Sequence, residues 1–141
     1  MTFDYRDLDA QKKILRGAFS GDHSWRIPEL LEVALADPGF YLTAASQIHM
    51  PCWHRGRVVL VGDAGYCAAY LSGRGTSLAL TGARFLAEEL VDADYASAFT
   101  RYETRQRPYV TSAQNSIDRG LDRMLPATWD AIADRNRALR V

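Results

Sequence analysis

The chain has 141 residues and a mass of 15.8 kDa, with 48% hydrophobic and 24% charged residues, which is ordinary for a globular domain with a modest core. Its 17 basic residues balance 17 acidic ones, so we expect neither a nucleic-acid nor an anionic-membrane partner. No apolar run approaches the roughly 20 residues that span a bilayer, and the start at Met1 lacks a signal-peptide pattern. We therefore expect a cytoplasmic protein.

The first 38 residues predict two helices. Asp9 is placed to cap the first helix, and Pro28 suits the first turn of the second because proline has no N–H to lose there. The Asp37-Pro38-Gly39 sequence predicts the turn that ends the second helix. No catalytic pattern stands out in this segment.

The next segment predicts a strand and a turn. Residues 40–50 (FYLTAASQIHM) contain enough β-forming residues to predict a strand. His49, Cys52 and His54 then bring donor types that bind zinc within a short spacing. No paired C-x-x-C accompanies them, and the neighbouring proline and tryptophan fit a packed turn equally well, so we predict no metal site. Cys67, further on, is expected to be a small buried residue.

The stretch from Gly56 to Leu90 reads GRVVLVGDAGYCAAYLSGRGTSLALTGARFLAEEL. Residues 58–61 are continuously apolar, which predicts a strand buried on both faces, as in a parallel sheet. The chain then turns at Gly62-Asp63, passes through a loop of small residues, and starts a helix near Thr76. This order is how α/β proteins present a polar ligand at the carboxyl end of a sheet.

The same stretch offers specific chemistry to such a ligand. Asp63 is an acceptor for ligand hydroxyl groups, and glycines at Gly73 and Gly75 permit positive φ and a close approach to the backbone. Unpaired amides at the helix start, near Thr76 and Ser77, favour partial negative charge. A tight turn in which Asp63 only caps the chain explains the pattern as well, because short glycine patterns are weak evidence.

Beyond Leu90 the sequence predicts further helices. Asp92 or Asp94 can cap a long helix whose aromatic and aliphatic residues recur at three- and four-residue spacing over residues 95–121. Pro108 falls inside this run and predicts either a kink or two abutting helices. The stripe is expected to be core, with any exposed part inviting self-association. Residues 126–141 predict a short final helix.

The stretch from Gly56 to Leu90 resembles the second flavin-contacting motif of FAD-dependent monooxygenases of the aromatic-ring-hydroxylase type. Their pattern is a strand, Gly-Asp-Ala-Ala-His or -Tyr, a proline-bearing loop that ends Gly-x-Gly, and a helix. The resemblance continues through FYLTAASQIHMPCW upstream and AFTRYETRQRPYV downstream, and it covers residues 4–126. The residues that match the motif are Gly62, Asp63, Ala64, Gly73 and Gly75.

The resemblance implies a role for each matching residue. Asp63 would bind the ribityl chain of FAD, and the backbone of Gly75, Thr76 and Ser77 would face the pyrimidine edge of the flavin ring. The implied activity is hydroxylation of a small organic substrate, with NADH or NADPH as reductant; no catalytic residue is indicated. The cofactor-binding residues implied in this way are Gly62, Asp63, Gly73, Gly75, Thr76 and Ser77.

Two departures from the family pattern qualify this interpretation. Ala69-Tyr70 stands where relatives usually carry Ser-Pro, so the proline near the flavin ring is missing. The G-x-G-x-x-G sequence that binds the ADP half of FAD does not occur in the 141 residues. We therefore expect a fragment of such an enzyme, inactive alone. Its residues 1–50 would be the tail of the substrate domain, and residues 51–141 the carboxyl-terminal part of the FAD-binding domain.

The predicted fold class is α/β, or α+β for the chain taken alone. It consists of a partial Rossmann-like FAD domain with a few strands and a helical carboxyl-terminal half. The alternative function is a non-catalytic, mostly helical interaction module. Such a module would form a homo-oligomer or pair with a complementing chain that supplies the rest of the fold.

Overall fold

The computed structural model describes residues 4–91 and 93–139. The chain divides into two compact units, residues 1–44 and residues 45–141. Residues 1–3, Asp92 and the last two residues lie outside the described residues. The expectations about the chain start, a cap by Asp92 and the extreme end of the final helix therefore fall outside as well.

The first unit contains helices α1 (Leu8–Phe19) and α2 (Ile27–Ala36). Asp7, and not the predicted Asp9, caps α1, because its carboxylate accepts the Ala10 N–H at 2.9 Å. Pro28 lies in the first turn of α2, as predicted.

Gln11 is a buried polar residue of this unit. Its Nε2 donates to the Tyr5 carbonyl at 2.7 Å, and its Oε1 accepts the Leu42 N–H at 2.6 Å. One side chain of α1 thereby satisfies backbone groups on both sides of the helix pair, which offsets the cost of burying its amide.

The second unit begins with a β-hairpin. Strand β1 (His54–Arg55) pairs antiparallel with β2 (Val58–Val59), and His54 lies opposite Val59. Gly56 has a φ of +57° in the turn, which glycine adopts without steric cost. The strand predicted over residues 40–50 is absent, and a single bridge between Gln47 and Ala68 is the only β-pairing there.

Helices make up the rest of the second unit. Asp94 caps a long helix by accepting the N–H groups of Ala96 and Ser97 at 3.0 and 3.1 Å. This helix, α5 (Tyr95–Gln114), runs without a break through Pro108. No helix in the described ranges is both long enough and apolar enough to cross a bilayer. The elements are α3 (Asp63–Tyr66), a 3₁₀ turn (Tyr70–Ser72), α4 (Gly75–Val91), α5 (Tyr95–Gln114), α6 (Ile117–Met124) and α7 (Trp129–Ala138).

The predicted α/β class, with its partial Rossmann-like FAD domain, is wrong, and so is the α+β form expected for the chain alone. The described residues are mostly helical, and their only sheet is the two-stranded hairpin. The apolar run at residues 58–61 pairs antiparallel with the preceding arm and has no parallel neighbour in the described part of the chain. Val58 is 65% exposed, so the run is not a strand buried on both faces.

The core of the second unit lies between α4, α5 and the hairpin. The rings of Trp53 and Tyr66 approach to 4.5 Å between centroids, and Tyr102 lies 6.0 Å from Trp53. Such tilted contacts add to the energy of burying aromatic surface. The predicted aromatic stripe of α5 is therefore core at Tyr102 and Phe99, whereas Tyr95 and Tyr109 are exposed.

Candidate functional site

A cleft of about 760 Å³ opens where the apolar run of β2 ends. It lies between the loop of residues 67–73 and the first turns of α4. Its volume is within the roughly 300–1,000 Å³ typical of small-molecule pockets. The residues that line it are Val61, Gly62, Asp63, Cys67, Ala68, Ala69, Tyr70, Gly73, Gly75, Thr76, Ala79 and Leu80.

Most of the residues predicted to contact a cofactor meet in this cleft. Five of the six line it, and Ser77 is the exception. The carbonyl of Ser77 accepts a bond from the Thr81 hydroxyl at 2.8 Å. Ala79 and Leu80 were missed by the sequence analysis. They follow Gly75 and Thr76 by four residues, a spacing that places them on the same helix face and could have found them.

Asp63 and the start of α4 border the same space. Asp63 is the first residue of α3 and is exposed. A Cβ built on Gly75 would lie 4.0 Å from Asp63 Oδ1, so the carboxylate faces the helix start with room between them. Gly62 precedes it with a φ of +70°, and a Cβ there would lie 3.3 Å from the Ala79 Cβ. Glycine at 62 therefore serves both the turn and the close approach of α4.

The first turn of α4 presents backbone donors to the cleft. Helical hydrogen bonding begins with the Leu78 N–H, which donates to the Arg74 carbonyl at 2.9 Å. The amides of Gly75, Thr76 and Ser77 precede it and have no acceptor within the helix. These amides lie at the positive end of a helix 17 residues long, where partial negative charge on a ligand is stabilised.

Hydrogen bonds hold the loop on the other side of the cleft at several points. The Cys67 carbonyl accepts the Ile48 N–H at 2.9 Å and Gln114 Nε2 at 3.3 Å. The Ala69 carbonyl accepts the Ser72 hydroxyl at 2.8 Å. Cys67 is half-buried and lines the cleft, so it is less enclosed than the sequence predicted.

A buried polar network on α5 joins the end of the apolar run to the first turn of α4. The Tyr102 hydroxyl lies 3.0 Å from the Leu60 carbonyl and 3.1 Å from the Tyr66 hydroxyl. Gln106 Nε2 donates to the Leu78 carbonyl at 2.9 Å. Burial, followed by the Tyr66 hydroxyl bond, raises the pKa of Tyr102, so its phenol stays neutral. The network ties the residues before Asp63 to the first turn of α4.

A second cluster lies at the hairpin. The atoms of Cys52, His54 and Glu103 that could bind a metal ion lie within 4.8 Å of one another. His49 is not part of this group, and its ring bonds Gln47 Oε1 at 2.8 Å. Burial of Glu103 raises the pKa of its carboxyl group. The 2.9 Å bond from the Trp53 N–H and the pairing with the Arg107 guanidinium lower this pKa by more, so the net shift is downward.

Arg107 connects this cluster to the segment that precedes the hairpin. Its guanidinium donates to the Met50 and Pro51 carbonyls at 3.2 Å each and lies 4.4 Å from the centre of the Trp53 ring. Glu103 in turn pairs with Arg107 and accepts the Trp53 N–H. Together the two charged groups anchor the hairpin on α5, which accounts for the position of the Glu103 carboxylate.

The chain is similar to several known proteins. No family model matches the chain. A flavin-dependent monooxygenase from an unknown prokaryotic organism is 46% identical over 110 residues, which cover 77% of this chain and 28% of that protein. The FAD-dependent monooxygenase asL6 of Sarocladium schorii is 36% identical over 118 residues, which cover 82% and 28%. The chain is similar to flavin-dependent monooxygenases.

A solved structure extends this similarity to the fold. Tetracycline destructase Tet(55) matches with a TM-score of 0.82 and 40% sequence identity, over 95% of this chain and 36% of that one. The structural likeness is therefore to a tetracycline destructase and not to an isolated Rossmann-like domain. This chain spans 28% of the length of each of the two curated relatives.

These names imply a bound flavin. A flavin offers ribityl hydroxyl groups that donate, a planar ring with apolar faces, and an edge that gains negative charge on reduction. The cleft supplies one exposed carboxylate at Asp63, apolar walls at Val61 and Ala79, and the open amides of α4. Its residues fit the group. The predicted resemblance to flavin-dependent monooxygenases is confirmed by the relatives, whereas reductant and substrate stay predictions.

Proposed function

We propose that this chain supplies the flavin-contacting part of an FAD-dependent monooxygenase that hydroxylates a small organic substrate, with NADH or NADPH as reductant. The observation that carries the proposal is the meeting of the Asp63 carboxylate, the glycine turn and the amide end of α4 in one cleft of about 760 Å³. Relatives named flavin-dependent monooxygenases support the cofactor.

Each contact has a distinct task in this proposal. The Asp63 carboxylate accepts hydrogen bonds from ribityl hydroxyl groups, which are stronger than neutral ones because the acceptor is charged. Gly73 and Gly75 leave the backbone accessible. The amides of Gly75, Thr76 and Ser77 stabilise negative charge at the ring edge. Bound FAD supplies the redox chemistry itself, and this chain orients it.

The same proposal assigns parts of the chain. Residues 1–50 belong to the substrate-binding side of the enzyme and residues 51–141 to its flavin-binding side. The 141 residues contain no G-x-G-x-x-G, so the phosphate contacts of that motif are made elsewhere, and the chain taken alone is incomplete and inactive. Contacts from this chain are to the ribityl group and ring, which riboflavin shares with FAD.

A titration with riboflavin and FAD tests the assignment of Asp63. Replacing the carboxylate by a neutral amide keeps an acceptor but weakens the bond by about 1 kcal/mol, so Asp63→Asn is expected to raise the Kd for both flavins by about fivefold. Asp130→Asn is the matched control, because Asp130 is an exposed carboxylate of α7 that does not line the cleft. Unchanged affinity in Asp63→Asn would refute the ribityl role.

A second candidate is the non-catalytic helical interaction module, acting as a homo-oligomer or with a complementing chain. Exposed apolar side chains favour it. In the first unit, Leu30 and Val33 of α2 are 52% and 69% exposed, and in the second unit Trp129 is 85% exposed. Burying such surface between copies is favourable. Light scattering on the purified chain, with and without flavin, distinguishes the two: a stable flavin-free oligomer with no flavin binding supports the module.

A further inference from the structure

Tyr70 is the single aromatic residue among the described residues that line the cleft, and its side chain is 63% exposed. We propose that Tyr70 is a flavin-contacting residue, whose ring stacks on the flavin ring and orients it. This inference rests on the proposed function and deepens it. It assigns to this chain a contact that the Ser-Pro sequence of the resembling family does not provide.

The backbone before Tyr70 supports this assignment. Ala69 has φ +55° and ψ +156°, a conformation that glycine alone adopts easily and that persists only where the surroundings impose it. Ala68 and Ala69 are buried. The Ala69 carbonyl accepts both the hydroxyl and the N–H of Ser72, at 2.8 and 3.2 Å. The strained residue is therefore held by burial and by the two bonds from Ser72.

The position of the Tyr70 side chain follows from the turn that begins after Ala69. Tyr70 starts a 3₁₀ turn that ends at Gly73, whose N–H donates to the Tyr70 carbonyl at 2.9 Å. The ring thus projects from a turn held at both ends and lies beside the cleft instead of packing in the core. Planar aromatic ligands stack favourably on such rings in offset or tilted arrangements.

A tyrosine in contact with a flavin has a spectroscopic signature that a structural residue lacks. Light-excited flavin takes an electron from a phenol that it touches, and the electron then returns, so fluorescence is lost without net oxidation of either partner. Phenylalanine keeps the flat ring but is a poor electron donor. Replacing Tyr70 by phenylalanine therefore separates the contact from the shape of the site.

The experiment measures riboflavin binding by equilibrium dialysis and bound-flavin fluorescence on the full chain and its variants. Tyr70→Phe is expected to bind within about twofold of the wild-type affinity, yet with bound fluorescence raised several-fold. Tyr70→Ala is expected to lose about three- to tenfold in affinity, the range of an aromatic contact. Tyr109→Phe is the control, because Tyr109 is an exposed tyrosine of α5 that does not line the cleft.

The outcomes separate this inference from the function on which it rests. If the wild type binds riboflavin and neither Tyr70 variant changes fluorescence or affinity, the stacking role is refuted and the flavin site stands. Binding by Tyr70→Ala but not by the wild type would mean that the ring blocks the cleft, which also refutes stacking. If neither the wild type nor Tyr70→Ala binds riboflavin, the proposed function fails and this inference fails with it.

Discussion

Gly82 lies where α4 comes closest to the buried phenol of Tyr66. A Cβ at Gly82 would lie 2.0 Å from the Tyr66 hydroxyl oxygen and 3.4 Å from Gln106 Nε2. The tyrosine could only move away by giving up its 3.1 Å bond to the Tyr102 hydroxyl. The polar network of Tyr66, Tyr102 and Gln106 can therefore form only because residue 82 has no side chain.

Gly82→Ala is expected to lower the free energy of unfolding by about 1–3 kcal/mol, the usual cost of overpacking a core. Gly17→Ala is its matched control, since a Cβ on Gly17 of α1 meets nothing within 4 Å. That change should instead stabilise by about 0.5–1 kcal/mol because alanine favours the helix. Urea denaturation measures both; equal effects of the two changes would contradict the packing described for Gly82.

The strain at Ala69 can be tested at the same scale. An unfavourable backbone conformation costs about 1–3 kcal/mol, and glycine loses roughly 0.5–1 kcal/mol more than alanine on folding. Ala69→Gly is therefore expected to raise the free energy of unfolding by about 1 kcal/mol. Ala68→Gly, at a buried neighbour without a positive φ, should lower it. If both changes destabilise alike, Ala69 is not strained.

At the scale of elements, α4 and α5 are joined by charge as well as by their core. Glu89 of α4 accepts from Arg101 and from Arg105 of α5, each at 2.6 Å, and Glu88 accepts from Arg105 at 2.8 Å. Bonds from Arg101 and then Arg105 hold the pKa of Glu89 below its ordinary value of 4.5. The two arginines therefore bind the ionised form of this glutamate more strongly than its protonated form.

This arrangement predicts a specific acid sensitivity. Because the pKa of Glu89 is lower in the folded than in the unfolded chain, its contribution to stability is complete above pH 4.5 and is lost as the pH falls through the lowered value. Glu89→Gln should therefore show a smaller loss of stability below that pH than the wild type. Denaturation midpoints across acidic pH measure this, with Glu32→Gln of α2 as the control. Parallel pH profiles would contradict the ion-pair role.

The helices could be predicted from the sequence because their signals are local. Pro28 marks α2, and Asp94 marks α5 through a cap within three residues. The interior Pro108 did not split α5, since packing of the surrounding turns outweighs one lost hydrogen bond. The strand predicted at residues 40–50 is absent, and the run at residues 58–61 does begin as a strand but pairs in an antiparallel hairpin and not in a buried parallel sheet. A strand's partners are not specified by its own sequence.

The cleft shows the same division between local and distant information. Gly62, Asp63, Gly73 and Gly75 were predicted as a set because their spacing along the chain is itself the pattern. The support beneath them was not, since the bond from Tyr102 to Leu60 joins residues 42 positions apart. No local spacing indicates which phenol will reach which carbonyl, and the structure was needed to find it.

For the whole molecule, we propose that this chain contains a flavin-contacting half-site, although it spans only 28% of the length of the two curated relatives. The ligand groups that this half-site contacts are the ribityl chain and the ring. We therefore expect riboflavin and FAD to bind with similar affinity and to compete, because the ADP half of FAD finds no matching motif in the 141 residues. Competition titrations measure this, and a strong preference for FAD would show that this chain also binds the ADP half.

The proposed half-site can be tested by equilibrium dialysis of the purified chain against FAD, with the visible flavin band read on both sides of the membrane. We predict an excess of flavin on the protein side that riboflavin displaces and that Asp63→Asn reduces. Equal flavin on both sides at every concentration, with a chain that is folded by circular dichroism, would contradict this proposal. The cleft would then be a feature shared with flavin enzymes that does not itself bind flavin.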